Sequence, residues 1–264
     1  MFLFFSDSTT SEKLKFDIAV QVFSRIKLIE LYKKLNFMPW MFFNIMKLID
    51  TQMKCSIKKQ ILSRKLKAAP KKAYYTYLLL DNEKFQSARS KININSLLPS
   101  EANIKDFIAF KNSIFYVGKG IFNRKHQHLT LAKKLYCGVL PLKKVQLKIS
   151  KIASLWKRNR GVTLIQLDCD ATTYEALTRE NCIIKSLNFN KLTNRIRGTS
   201  YGDAKHWSSV KVVNYGDMLL YQLFNNYLTK EPSVIYARDV VLKTKSTKRP
   251  RICSYCKKNI NLSI

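Results

Sequence analysis

Tyr74-Tyr75-Thr76-Tyr77-Leu78-Leu79-Leu80-Asp81 and Ile114-Phe115-Tyr116-Val117-Gly118-Lys119-Gly120 are the two stretches on which the fold of this chain turns. Both are dense in aromatic and aliphatic residues and bounded by polar ones, as buried strands are. The second is expected to stop at Gly118-Lys119-Gly120, because glycine permits a tight turn and close approach by a ligand. A third strand, Val162-Thr163-Leu164-Ile165-Gln166-Leu167, follows Gly161. The expected architecture is α/β: a small three-stranded, mainly antiparallel sheet from 74–80, 113–118 and 162–168, flanked by helices.

The flanking segments carry helical signals. A polar insert at 81–112 holds a short helix around Glu101 to Phe110, after Pro99. Basic helices are expected from about Asn123 to Leu135 and from Val145 to Trp156. Thr172 or Thr173 can cap a helix reaching Leu187, and another covers Trp207 to Tyr227. Upstream, Ala19, Val22, Phe23, Ile26 and Ile29 repeat at helical spacing. Pro39 interrupts, and Phe42, Ile45, Met46, Ile49 and Met53 continue the pattern. The expected organisation is a basic helical extension or linker at 1–72, a main domain at 73–240 and a basic tail at 241–264.

Charge narrows the function. Lys plus Arg number 48 against 17 Asp plus Glu, a formal net charge of +31 over 264 residues. Such self-repulsion is best tolerated when the partner is a polyanion. Nucleic acid leads, since each neutralised phosphate releases counterions; an anionic membrane surface is second. The apolar stretch Phe37 to Ile49 is too short for a membrane span, and Met1 to Phe5 lacks the basic region of a signal peptide. An intracellular protein, nuclear or cytoplasmic, is therefore expected. Four of the six cysteines stand singly among apolar or helical neighbours, as in a reducing compartment. Cys253 and Cys256 have the spacing of half a zinc site, but no second Cys/His pair follows.

The helix over 172–188 carries the most informative residue. Projected at 100° per residue, Ala176, Leu177, Ile183, Ile184 and Leu187 share one arc of about 120°. Glu180 lies at its centre, while Arg179, Lys185 and Ser186 fall outside. A carboxylate inside a core-facing stripe is costly unless paired or bound to a metal; a glutamate at the core edge reaching solvent or an arginine is the plainer reading. Arg124 and His128, at i and i+4, share a face where a phosphate can sit. Gly118-Lys119-Gly120 is not a phosphate-binding Walker loop, whose spacing is absent.

In order along the chain, these points resemble the GIY-YIG nuclease superfamily. Tyr75-Thr76-Tyr77 stands where that family has its first tripeptide and Tyr116-Val117-Gly118 where it has the second, which puts Tyr77 and Tyr116 on the signature tyrosines. Lys119 matches the lysine after the second tripeptide in the excision-repair members. Arg124 matches the family arginine, two residues closer to Tyr116 than in those members, and His128 a position one helical turn on. Glu180 matches the metal-binding glutamate and Asn194 the terminal asparagine. The insert before Ile114, the short spacing to Arg124, and Leu192-Thr193-Asn194-Arg195 with Gly198, Trp207 and Leu219-Leu220-Tyr221 resemble the ankyrin-and-LEM-domain branch. The resemblance spans roughly Tyr74 to Val240. Tyr75 replaces the first glycine, and residues 1–70 show no ankyrin or LEM pattern.

The resemblance implies a divalent-metal-dependent DNA endonuclease. Glu180 would hold Mg²⁺ or Mn²⁺, and Arg124 would stabilise the scissile phosphate. Tyr116 would be the general base, its pKa lowered by Lys119. Tyr77 and His128 would orient water or phosphate, and Asn194 would support the site. Lys148, in the basic helix, is expected to serve DNA binding rather than chemistry. The competing reading is a catalytically inactive nucleic-acid-binding module of the same fold.

Overall fold

Strand β1, Tyr74–Asp81, is the axis of the molecule. It pairs on one side with β2, Ile114–Ile121, and on the other with β3, Val162–Ala171, both antiparallel. A two-residue strand, β4 (Val234–Ile235), extends β3, so the sheet has four strands in the order β2-β1-β3-β4. The fourth escaped the sequence because two residues leave no alternation to read. The computed structural model describes residues 39–68, 73–88, 101–121, 124–141, 145–230 and 233–242, with a strand pair at 251–252 and 259–260. The helix expected over 19–29 and the Cys253 and Cys256 pair lie outside the described residues.

Strand β2 does not stop at its glycines. It runs through them, with Gly118 opposite Tyr77 and Gly120 opposite Tyr75. A Cβ on Gly118 would sit 2.8 Å from the Tyr116 ring and 3.0 Å from that of Tyr77; one on Gly120 would sit 2.8 Å from the Tyr75 hydroxyl. The glycines make room for aromatic rings lying across the strand, rather than making a turn.

Among the described residues seven helices clothe the sheet: α1 (Pro39–Leu62), α2 (Asn82–Ala88), α3 (Glu101–Ser113), α4 (Arg124–Tyr136), α5 (Leu147–Lys157), α6 (Thr173–Leu187) and α7 (Ser209–Lys230). Because side chains alternate along a strand, β1 feeds two cores. Leu78 and Leu80 pack with α1, α2, α3, α6 and α7, through residues such as Ile49, Phe85, Phe110, Ile183 and Phe224. Tyr75, Tyr77 and Leu79 pack with α4 and α5, through Leu129, Ala132, Ile149, Ile152 and Trp156. Among the described residues no helix is long and apolar enough to cross a membrane.

Helix α6 begins with a capping box: the Thr172 hydroxyl accepts from the Glu175 N–H, and the Glu175 carboxylate accepts from the Thr172 N–H. It is enclosed on more sides than its apolar arc implies. Arg179, expected outside the arc, is buried, because α1 covers that flank. Its guanidinium donates to the Asp50 carboxylate at 2.8, 3.0 and 3.2 Å, and the Tyr215 hydroxyl donates to the same carboxylate at 2.7 Å. Gly216 lets α7 cross closely, since a Cβ there would lie 2.2 Å from the Cys182 carbonyl oxygen. Pro39 opens α1 at the first helical position, where its missing N–H costs nothing. The described part of the N-terminal region is thus built into the larger core.

Candidate active site

Strand β2 is the outer strand, and an exposed edge leaves backbone donors and acceptors unpaired. Here the chain after α6 returns to cover it. The Thr193 N–H donates to the Phe115 carbonyl at 2.8 Å. The Asn194 carboxamide then behaves as a substitute peptide group: its Oδ1 accepts from the Val117 N–H at 3.1 Å and its Nδ2 donates to the Val117 carbonyl at 2.7 Å. Beside this seal opens a cleft of about 230 Å³ lined by Tyr116, Gln146, Lys148, Glu180, Thr193, Asn194, Arg195 and Ile196.

Both faces of the sheet reach this edge. From the α4/α5 face, the Tyr77 hydroxyl is hydrogen-bonded to His128 Nε2 at 2.7 Å, and the Tyr77 and Tyr116 rings lie 6.0 Å apart. Lys148 Nζ donates to the Tyr116 hydroxyl at 2.8 Å and sits 4.2 Å from its ring centroid. On the other face, Lys119 Nζ donates to Thr173 Oγ1 at 2.7 Å and lies over the Tyr74 ring. The Lys119 backbone bonds the Glu180 carboxylate. Arg124 is exposed at the start of α4, and its charge acts on Tyr77, Tyr116, Lys119, His128, Lys148 and Glu180.

Burial dominates the ionisation of the cluster. It pushes the Glu180 carboxyl up to about 7, against the opposing pull of Lys119, Lys148 and Arg124. The Tyr116 phenol rises to about 12, through burial and then the Glu180 charge. Tyr77 rises well above the ordinary phenol range for the same first reason, reinforced by Tyr116. Lys148 falls to about 8, through burial and then Arg124, with Glu180 opposing. His128 falls to about 4, through burial and then Lys148 and Arg124, so its ring is neutral at physiological pH. Burial also lowers Lys119.

All seven residues singled out from the sequence therefore stand around one strand edge. The site differs from expectation in two respects: the Tyr116 phenol, expected to be lowered by Lys119, is instead raised by burial and the Glu180 charge, and the lysine at its hydroxyl is a different one. The lysine on the Tyr116 hydroxyl is Lys148, whereas the Lys119 side chain is turned to Thr173. Lys148, expected to serve DNA binding rather than chemistry, stands at the Tyr116 hydroxyl. A signal for it was present: it lies in the first turn of α5, where a cation opposes the helix dipole, and one turn before the buried Ile152. Gln146, Thr193, Arg195 and Ile196 carried no such signal.

Among the described residues no three His, Cys, Asp or Glu side chains cluster as a metal cage. Glu180 is the one carboxylate of the cleft lining. A single carboxylate with open space beside it suits a hard cation that keeps most of its waters and shares a substrate phosphate.

The LEM-3-like GIY-YIG domain matches residues 74–242. The chain is 30% identical over 169 residues to the ankyrin repeat and LEM domain-containing protein 1 of Mus musculus, and 30% identical over 176 residues to that of Homo sapiens. The Caenorhabditis elegans homolog is 32% identical over 111 residues. These matches cover 64%, 64% and 42% of this chain, but only 30%, 27% and 16% of the relatives. The chain thus spans less than a third of the length of the curated relatives it matches. No solved structure matches it. Helix α1 lies outside the matched segment while sharing its core. A match over well more than half of the chain, with its motif residues gathered at one strand edge, makes this protein a member of the LEM-3-like GIY-YIG family of nuclease domains.

Proposed function

We propose that this chain is a divalent-metal-dependent endonuclease that hydrolyses phosphodiester bonds of DNA at the β2 edge. One observation carries the reading: Glu180 is the half-buried carboxylate of a cleft it shares with Tyr116, and the charges of Lys119, Lys148 and Arg124 act on it. Burial holds that carboxylate near half-protonation at neutral pH, a poor arrangement for an isolated protein. It becomes a good one when a cation and a phosphate complete the charge balance.

In this reading Glu180 would hold Mg²⁺ or Mn²⁺, which would supply Lewis acidity for the leaving 3′ oxygen. Arg124 meets the scissile phosphate and stabilises its developing charge. Once its own hydroxyl proton has been lost to solvent, Tyr116 takes the proton of the attacking water, and Lys148, donating to the same oxygen, holds the phenolate. Neutral His128 and Tyr77 fix each other through one hydrogen bond and orient the Tyr116 ring beside them. Asn194 keeps the strand edge, and hence Tyr116, in place. The net charge of +31 supplies affinity for the phosphate backbone.

The test is cleavage of duplex, single-stranded and branched DNA with Mg²⁺ or Mn²⁺. The unmodified chain should cut at least one form, and Glu180→Ala should abolish cutting while DNA binding survives. Binding without cleavage of any form would replace this reading with the inactive binding module.

A further inference from the structure

Few large apolar side chains are exposed among the described residues, yet two belong to the rims of one cleft. Ile196 is 76% exposed and lines the cleft between Arg195 and Arg197. Leu147 is 59% exposed, between the cleft residues Gln146 and Lys148. A single exposed isoleucine is ordinary; the way this one is mounted is not. On its N-terminal side Asn194 is locked to Val117 by two hydrogen bonds. On its C-terminal side Gly198, at φ +88°, lies so close to α6 that a Cβ would sit 2.9 Å from the Asn181 Cα. Asn181 Nδ2 donates to Ser200 Oγ at 2.7 Å, and the Tyr201 N–H to Thr178 Oγ1 at 3.0 Å. Only residues 195–197 project between these anchors, and the Arg197 guanidinium rests over the Phe189 ring.

A stiff β-branched side chain on a pinned loop, with a cation on either side, has the chemistry of a DNA wedge. Arginines grip phosphates, and an apolar tip between them enters and partly unstacks a base step. We infer that Ile196 inserts into the base stack beside the scissile phosphate, so that the enzyme favours steps that unstack easily. The occupant is DNA because the tip is flanked by two arginines, with Lys148 at the cleft below. Pyrimidine–purine steps deform at the lowest cost, so TA and CA steps are the preferred sites. This rests on the proposed nuclease function for the position of the phosphate, and not for the unstacking itself.

The experiment uses the full chain in EDTA, where no cleavage occurs, with duplexes carrying 2-aminopurine at a TA step. Binding should raise the fluorescence severalfold. Ile196→Ala should lose most of that rise while its duplex affinity changes by less than about threefold, since phosphate contacts dominate affinity. Ile196→Leu should restore the rise. With Mg²⁺ added, Ile196→Ala should cut TA, CA and GC steps with more equal frequency. An equal fluorescence rise in Ile196→Ala, or no rise in a wild-type protein that binds and cuts, overturns the wedge and leaves the nuclease standing. A rise lost in Ile196→Ala, in a protein that never cuts, retains the wedge and removes the nuclease.

Discussion

The two faces of the sheet are unequal, and they divide the labour. Among the described residues, 28 buried apolar side chains form the cluster on the Leu78 and Leu80 face, against 14 on the Tyr77 and Leu79 face. The thick face is aliphatic and aromatic, and it locks α6 through the pair of buried Arg179 with half-buried Asp50. The thin face carries Tyr77, Tyr116, His128 and Lys148, groups whose ionisation is displaced by burial. A large core can hold one costly carboxylate on a well-fixed helix. A small core leaves room at its border for polar side chains that must meet a substrate. The site lies where the two faces meet, at the outer edge of β2.

The largest effect should come from the residue that the thick face supplies. Glu180→Gln should lower the cleavage rate by about 10³-fold or more, the scale of losing Lewis-acid stabilisation of the leaving oxygen. It should also report on stability. A carboxyl whose folded pKa is raised to about 7 contributes stability below its unfolded value, and that contribution is lost as pH rises through about 7. Glu180→Gln should therefore melt higher than the parent at pH 8, with the difference shrinking towards pH 5, by thermal melts without metal. A constant difference across that range would mean that Glu180 is not the burdened group.

Leu78 and Leu79 test the comparison most directly, since they are neighbours on β1, both fully buried, and face opposite cores. Truncating either to alanine should cost about 3 kcal/mol in denaturant unfolding. Only Leu79→Ala should also depress the cleavage rate of the folded protein, because Leu79 stands opposite Tyr116 in the register. Equal rates in both variants would break the division between a supporting face and a working face.

A smaller loss, about 100-fold in rate, is expected for Lys148→Met, the range of a group acting through proton transfer. Its pH–rate profile should move to higher pH, since the phenolate at Tyr116 loses its donor. DNA affinity should fall only modestly. If the profile stays in place and affinity falls steeply instead, Lys148 belongs to the DNA-binding surface, as its place in a basic helix first implied.

How much of this was legible depends on how local the signal is. Strands β1, β2 and β3 declared themselves as dense aromatic and aliphatic runs, and helix α6 through its helical period and the Thr172 cap, because burial writes a pattern into adjacent residues. Glu180 stood out by violating such a pattern. Lys148 meeting Tyr116 is a contact across 32 positions, set by how α5 lies on the sheet, and no local period encodes it. The burial of Arg179 was missed for the same reason, since it depends on α1 arriving from 129 residues upstream. The glycines of β2 were read as punctuation because glycine usually is, and only the opposing tyrosine rings explain them.

That pairing has a consequence for how such sequences drift. Tyr75 occupies a position where the resembling family carries glycine, and its hydroxyl fills the space a side chain on residue 120 would need. The two positions form one volume shared between strands, so neither is free to change alone. Gly120→Ala should be poorly tolerated in this chain, yet tolerated once Tyr75→Gly has emptied the space. A double-mutant cycle on stability should show the pair coupled by about 1 kcal/mol or more. Bulk at position 75 and its absence at position 120 should then be inherited together, as a correlated pair rather than as two independent motif letters.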